Sequence, residues 1–171
     1  SKDSYIVKAK NPRFGSGEAK GVIEESVRGC DLYLMVDVCN YSQTYSLCGY
    51  VNHMSPDDHY QDLKRIIAAV EGKARRINVI MPFLYESRQH KRTSRESLDC
   101  AMALQELTKM GVSNIIMHVF RTQFHVMDLR AFRVYTNLSK HCFVQSQICR
   151  LTMSILWSSA QMRAAWAVQS S

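Results

Sequence analysis

The chain has 171 residues, 46% of them hydrophobic, which suits one globular domain with a normal core. Its formal net charge is +7, but residues 117–171 hold six Lys/Arg against the single acid Asp128, so +5 of that charge belongs to the tail. No apolar run reaches the length of a signal core or a membrane span, and no aromatic platform interleaves with the basic residues; a cytoplasmic protein without membrane or nucleic-acid partners is expected.

In chain order, "RFGSGEAKG" comes first, from Arg13 to Gly21. Its glycines are spaced G-x-G-x-x-x-G and it precedes a strand signal at residues 19–26, so it fails both tests for a dinucleotide loop. Gly15 and Gly17 read as turn residues. Residues 31–38, "DLYLMVDV", form a short apolar run of the buried-strand kind.

"NHMSPDDHY" follows, with His53, Asp57, Asp58 and His59 close together. Ser55 as cap, Pro56 in the first turn and two acids at the positive end of the dipole predict a helix to about Glu71, ended by Gly72. Capping and dipole account for the aspartates, and His59 reads as an exposed helix residue, so no metal is expected there. Leu63, Ile66, Ile67 and Val70 share one face and predict core.

Residues 77–83, "INVIMPF", predict a second buried strand stopped by Pro82. A polar loop with Arg88, His90, Lys91, Arg92 and Arg95 comes next. It is either a solvated basic loop or a polyphosphate cradle, since arginine forks bind phosphate oxygens bidentately and lysine adds a point charge. Thr93 or Ser94 predicts the cap of a helix over 95–110 that buries Leu98, Met102 and Leu107, with Gly111 as its stop, and "VSNII" starts a further strand. The order β-β-α-β-α-β predicts an α/β fold with a doubly wound, mostly parallel sheet, which binds ligands at the carboxyl ends of its strands.

From residue 117 no element is predicted: Gly and Pro are absent after Gly111, and both tryptophans, Trp157 and Trp166, lie there. The six cysteines show no C-x-x-C pair and no His/Cys ligand spacing, so reduced, buried thiols are expected rather than zinc or disulfides.

The stretches "RFGSGEAKGVIEESVRG", "NHMSPDDHYQDLKRIIAAVEGKARRINVIMPFLYESRQHKR" and "SRESLDCAMALQELTKMGVSNII" resemble the N-terminal domain of ribose-phosphate pyrophosphokinase (phosphoribosyl pyrophosphate synthetase), in a divergent bacterial form. The resemblance covers about residues 10–116. It implies an incomplete type I phosphoribosyltransferase-like fold, a homo-oligomer, and transfer of the diphosphate of ATP to ribose 5-phosphate with magnesium. The family's F-x-D-G-E motif of the adenine pocket falls on Phe14, Gly15, Ser16, Gly17 and Glu18, with serine for the aspartate. Its R-Q-D-K phosphate loop falls on Arg88, Gln89, His90 and Lys91, with histidine for the aspartate. The resemblance thus implies ATP-binding roles for Phe14, Ser16, Glu18, Arg88, Gln89 and Lys91.

The family's magnesium histidine and its second domain do not appear in the chain, so the resemblance assigns no catalytic and no metal residue here. Codons permitted by residues 156–169, regrouped by one base, spell V-V-I-S-P-D-E-G-S-M-G-R-A, which resembles the start of the family's second domain. Residues 117–125 and 135–143 regroup the same way into family-like segments. This divides the chain into a partial synthetase-like domain, 1–116, and a non-homologous, frameshifted tail, 117–171, with low order expected after residue 116. The function implied is an inactive fragment of the diphosphokinase; the alternative is a non-catalytic regulatory or nucleotide-binding subunit.

Overall fold

The computed structural model describes residues 5–89 and 92–117, together with the backbone of two short strands in the tail. Two strands, β1 (Ile6–Val7) and β2 (Ala9–Lys10), come first, and β3 (Val22–Ile23) pairs antiparallel with β2. This two-residue ladder stands where a longer strand over 19–26 was expected. Then follow β4 (Asp31–Met35), the hairpin β5 (Thr44–Leu47) and β6 (Tyr50–His53), helix α1 (Pro56–Val70), β7 (Arg76–Met81), helix α2 (Asp99–Lys109) and β8 (Val112–Met117). In the tail, β9 (Arg133–Tyr135) runs parallel to β8, and β10 (Ala165–Val168) lies antiparallel between β1 and β4. The tail therefore supplies two strands where the sequence predicted no element. Its remaining residues, including Cys142 and Cys149, lie outside the described ones, as does most of the stretch for which low order was expected.

The main sheet has the order β1-β10-β4-β7-β8-β9, with β4, β7, β8 and β9 parallel. This is an α/β fold with a largely parallel sheet, as the alternation of elements predicts. Leu32, Ile77 and Val112 stand in one row across it, and Leu34, Val79 and Ile115 in the next. All six are buried, because β-carbons alternate across a strand and this face meets the helices. A register shift after Ile77 lets Val112 and Asn114 pair with consecutive residues of β7, leaving Ser113 exposed as the extra residue of a bulge.

Helix α1 starts as the sequence predicts. Ser55 accepts from the Asp58 amide while the Asp58 carboxylate accepts from the Ser55 amide, a reciprocal capping box behind Pro56. At the far end Glu71 and Gly72 both take positive φ, 51° and 66°, and break the helix. Leu63, Ile66, Ile67 and Val70 are each at most 3% exposed. Burial of such side chains contributes about 1.5–3 kcal/mol apiece before the cost of ordering the chain.

Helix α2 begins later than expected, at Asp99, and Leu98 at its N-cap offers no side-chain bond. The Thr93 and Ser94 hydroxyls instead bond Glu96, which holds a bend ahead of the helix. Its buried face is Cys100, Ala103, Leu104 and Leu107; Met102, expected inside, is 59% exposed, and Leu98 is half-buried. The helices lie side by side. Tyr60 Oη donates to the Ala103 carbonyl at 2.8 Å, and Lys64 Nζ donates to Glu106 at 2.9 Å. Among the described cysteines only Cys100 is buried; Cys30 is half-buried and Cys39 and Cys48 are exposed, because the latter two sit in connections rather than on a core face.

Candidate functional site

Residues 13–19 fold back on themselves in a tight loop. Arg13 bridges Ala19, the Phe14 amide donates to the Glu18 carbonyl at 2.7 Å, and the Gly17 amide donates to the Phe14 carbonyl at 2.9 Å. Gly17 takes φ +88°, which glycine adopts at no steric cost. Gly21 lets the loop return against helix α1: a β-carbon there would stand 2.4 Å from the Arg65 carbonyl oxygen.

Arg13 anchors this loop. Its Nη2 donates to Asp62 Oδ2 at 3.1 Å, its Nη1 donates to the Gly17 carbonyl at 3.1 Å and lies 3.7 Å from Asp58, and its guanidinium sits 4.4 Å from the Tyr45 ring centroid. Asp62 also accepts from Arg65 at 2.6 Å, so the charges around Arg13 are matched.

Between this loop, the hairpin and α1 opens a cleft of about 830 Å³. Phe14, 52% exposed, stands on its wall with Tyr45 and Cys48, and His59 and Asp62 reach it from the helix. The cleft is nearly neutral in character. Its two cations each have a carboxylate partner, Lys10 with Glu24 and Arg13 with Asp62, and residues 38–56 contain no Asp, Glu, Lys or Arg. Such a lining suits an uncharged planar group better than a phosphate.

The hairpin that closes the cleft was not predicted. Its turn is Cys48-Gly49, both at positive φ (49° and 87°), a two-residue primed turn whose usual signal is Asn-Gly or Asp-Gly. It is fastened at its base. His53 Nδ1 donates to the Tyr41 carbonyl and His59 Nε2 donates to the Asn40 carbonyl, each at 2.8 Å, and the Tyr41 and His53 rings stack at 4.2 Å. His59 is thus buried, 3% exposed, and not the surface residue expected, because this partner lies in a loop that folds over the helix start.

The cationic loop leaves the carboxyl end of β7 as predicted, after Pro82. Glu86 takes φ 54° and a 3₁₀ turn, Ser87–Gln89, follows. Tyr85 ties its root to α1: its ring stacks on Tyr60 at 4.2 Å and its hydroxyl donates to Asp57 at 2.7 Å. Burial, with the Asp57 carboxylate second, pushes the Tyr85 hydroxyl up in pKa and keeps it a donor. Arg88 and Gln89 are exposed on this turn; Lys91, and His90 before it, lie outside the described residues. Arg88 acts on Cys39 past the end of β4. Partial desolvation of this largely exposed thiol and the Asp37 charge raise the Cys39 pKa, and the Arg88 cation opposes them.

The residues singled out from the sequence therefore occupy two places. Phe14 lines the cleft, whereas Arg88 and Gln89 do not. Ser16 and Glu18 are exposed and bonded to each other, Ser16 Oγ to Glu18 Oε2 at 2.9 Å, rather than lining the cleft. Tyr45, Cys48, His59 and Asp62 were not singled out as binding residues; the Cys-Gly pair was the one local signal for the hairpin. Among the described residues no three His, Cys, Asp or Glu side chains converge. No helix among them is long and apolar enough to cross a membrane.

Comparison with known proteins covers the same region. Residues 2–111 match the model of the N-terminal domain of ribose phosphate pyrophosphokinase. The ribose-phosphate pyrophosphokinase of Oceanobacillus iheyensis is 31% identical over 106 residues, 61% of this chain and 29% of that protein. The namesake from Halalkalibacterium halodurans is 27% identical over 128 residues, 74% of this chain and 34% of that protein. Among solved structures, phosphoribosylpyrophosphate synthetase from Mycobacterium smegmatis superposes with a TM-score of 0.57 at 25% identity, over 71% of this chain and 37% of that one. The chain thus spans about a third of the length of the relatives it matches.

Proposed function

This chain belongs to the ribose-phosphate pyrophosphokinase family through its N-terminal domain, and from that premise we propose that it is the nucleotide-binding part of a ribose-phosphate diphosphokinase. The complete reaction moves the diphosphate of ATP to ribose 5-phosphate. Phosphoryl transfer asks the protein for positioning and charge neutralisation rather than covalent chemistry. Arg88, on the loop after a parallel strand, and Lys91, three positions later in the sequence, supply the charge. Gln89 supplies a neutral amide donor beside them, and Phe14, Ser16 and Glu18 form the loop that meets the base. The observation that carries this reading is the coincidence of the family match with an exposed Arg88-Gln89 pair at the carboxyl end of β7.

On this reading residues 1–116 alone make no phosphoribosyl pyrophosphate, because a site that orders one substrate without the other forgoes the proximity that drives transfer. Magnesium would enter with the nucleotide, whose phosphates supply ligands to it. Titration calorimetry of the full chain with MgATP tests the reading. Binding that Arg88→Ala weakens by about tenfold, the loss of a charge-assisted phosphate contact, supports it. Binding indifferent to Arg88, or none at all, defeats it. AMP release with ribose 5-phosphate would overturn the inactivity and leave the binding role standing.

On the same reading, residues 117–171 are a frameshifted translation. Six basic residues to one acid, with neither glycine nor proline, depart from the composition of 1–116, and the match to the family's domain model ends at residue 111, while the alignment with the Halalkalibacterium protein, 128 residues long, runs past residue 116. An independent reading of the codons for residues 114–120 decides it: a base gained or lost there restores the family frame, and an unchanged reading removes the idea.

A further inference from the structure

The loop that carries Phe14 has little of its own to hold it in place. Its internal bonds, Phe14 to Glu18 and Gly17 to Phe14, shape it without fixing it to the rest of the molecule. Arg13 anchors one end to α1 through Asp62, and Gly21 seats the other against the Arg65 carbonyl. Between these ends it is the hairpin that meets the loop. The Cys48 amide donates to the Gly15 carbonyl at 3.1 Å, Leu47 Cδ1 lies 2.9 Å from where a Gly17 β-carbon would stand, and the Tyr45 ring lies under the Arg13 guanidinium.

We infer that hairpin β5–β6 is a brace that positions Phe14, with Tyr45, Leu47 and Cys48 as its positioning residues. Each contact has its own physics: a backbone hydrogen bond, a side chain filling the space left by a glycine, and a cation over an aromatic face. The brace is itself held to α1, since His59 donates to Asn40 at its base, so a chain of contacts runs from the helix through the hairpin to the loop. Its lack of formal charge from residue 38 to 56 matters here: a basic residue beside Arg13 would compete for Asp58 and Asp62 and an acidic one for Arg13 itself, whereas tyrosine and leucine do neither. An exposed aromatic on an unbraced loop has to be ordered when a ligand arrives, and that entropy is subtracted from affinity. The role of the brace in nucleotide affinity rests on the reading given under Proposed function; its mechanical role does not.

The test compares the full chain with Tyr45→Leu and Tyr45→Phe, reading amide hydrogen exchange at Phe14, Gly17 and Cys48 together with MgATP affinity. Tyr45→Leu is expected to speed exchange at these three amides and to weaken MgATP by about fivefold, the size of one partly exposed cation–π contact, with the amides of α1 unchanged. Tyr45→Phe keeps the ring under Arg13 and restores both. Unchanged exchange in Tyr45→Leu overturns the brace, as does a Tyr45→Phe chain that behaves like Tyr45→Leu. If Tyr45→Leu does not fold, Leu47→Ala carries the same readouts, because it removes the contact on Gly17 while leaving the turn intact. Should the parent chain bind no MgATP, the nucleotide reading falls while the exchange data still decide the brace.

Discussion

Single residues carry two readable electrostatic effects. Asp31 opens β4 and receives forks from Arg76 and Arg75, Nε to Oδ1 at 2.9 Å from each and Nη2 to Oδ2 at 2.6 and 2.5 Å. These guanidiniums hold its carboxyl well below the usual carboxylate range. A carboxyl depressed on folding stabilises the fold above its unfolded pKa of about 3.9, and that stability is lost as pH falls through the folded value. Asp31→Asn should therefore cost about 1 kcal/mol at neutral pH, limited by the exposure of both arginines, and the gap should narrow below pH ~4. Urea melts at both ends of that range check it; a gap independent of pH would mean the pair contributes shape, not charge. At Cys39, the Arg88 cation favours the thiolate. Arg88→Ala should slow alkylation of Cys39 by about twofold, as expected for one screened charge, and leave Cys48 unaffected. Equal rates in parent and variant would place Arg88 away from the end of β4. Neither effect was legible in the sequence, since Asp31 and Arg76 meet only through the strand register and Arg88 meets Cys39 only through the fold.

At the scale of elements, legibility followed locality. Helix α1 was readable because Ser55, Pro56, Asp58 and Gly72 act within their own neighbourhood, and β7 because Ile77 to Pro82 state both the strand and its stop. The start of α2 was misread because Thr93 and Ser94 have the chemistry of caps but bond Glu96 across a bend. The hairpin was missed because Cys48 occupies a position where asparagine or aspartate is the usual signal. His59 was misplaced because its partner, Asn40, is nineteen residues away. Of the cleft, Phe14 alone was among the residues singled out from the family resemblance, and the walls around it come from tertiary contacts. Gly21 shows how closely those elements meet. In Gly21→Ala the new methyl would stand 2.4 Å from the Arg65 oxygen and 2.8 Å from the Ile66 nitrogen, both backbone and unable to swing aside. We expect a loss of about 1–3 kcal/mol and a melting point lower by several degrees. Gly15→Ala is the control, since its β-carbon meets nothing within 4 Å. Equal melting points for the two variants would contradict the close seating of β3 on α1.

For the whole molecule, the question is whether one cooperative unit extends past β8. The core of β4, β7, β8, α1 and α2 forms a single apolar cluster from Val7 to Met117. Beyond it the backbone of β10 takes a place between β1 and β4, with Trp166 opposite Tyr33. Both tryptophans lie in the tail, at 157 and 166, so indole emission reports on the tail alone while far-ultraviolet dichroism is dominated by the core helices. In a two-state domain the two signals lose their native values at one midpoint. On the proposed reading of residues 117–171 as a frameshifted translation, the tail was never selected to complete this sheet, and its strands would be held by backbone pairing alone. We therefore expect a cooperative dichroism transition on urea titration, with tryptophan emission changing at lower denaturant and over a broader range. Coincident midpoints and slopes would make β10 an integral strand of the domain and count directly against reading the tail as an unselected translation, whatever the nucleotide sequence is later found to be.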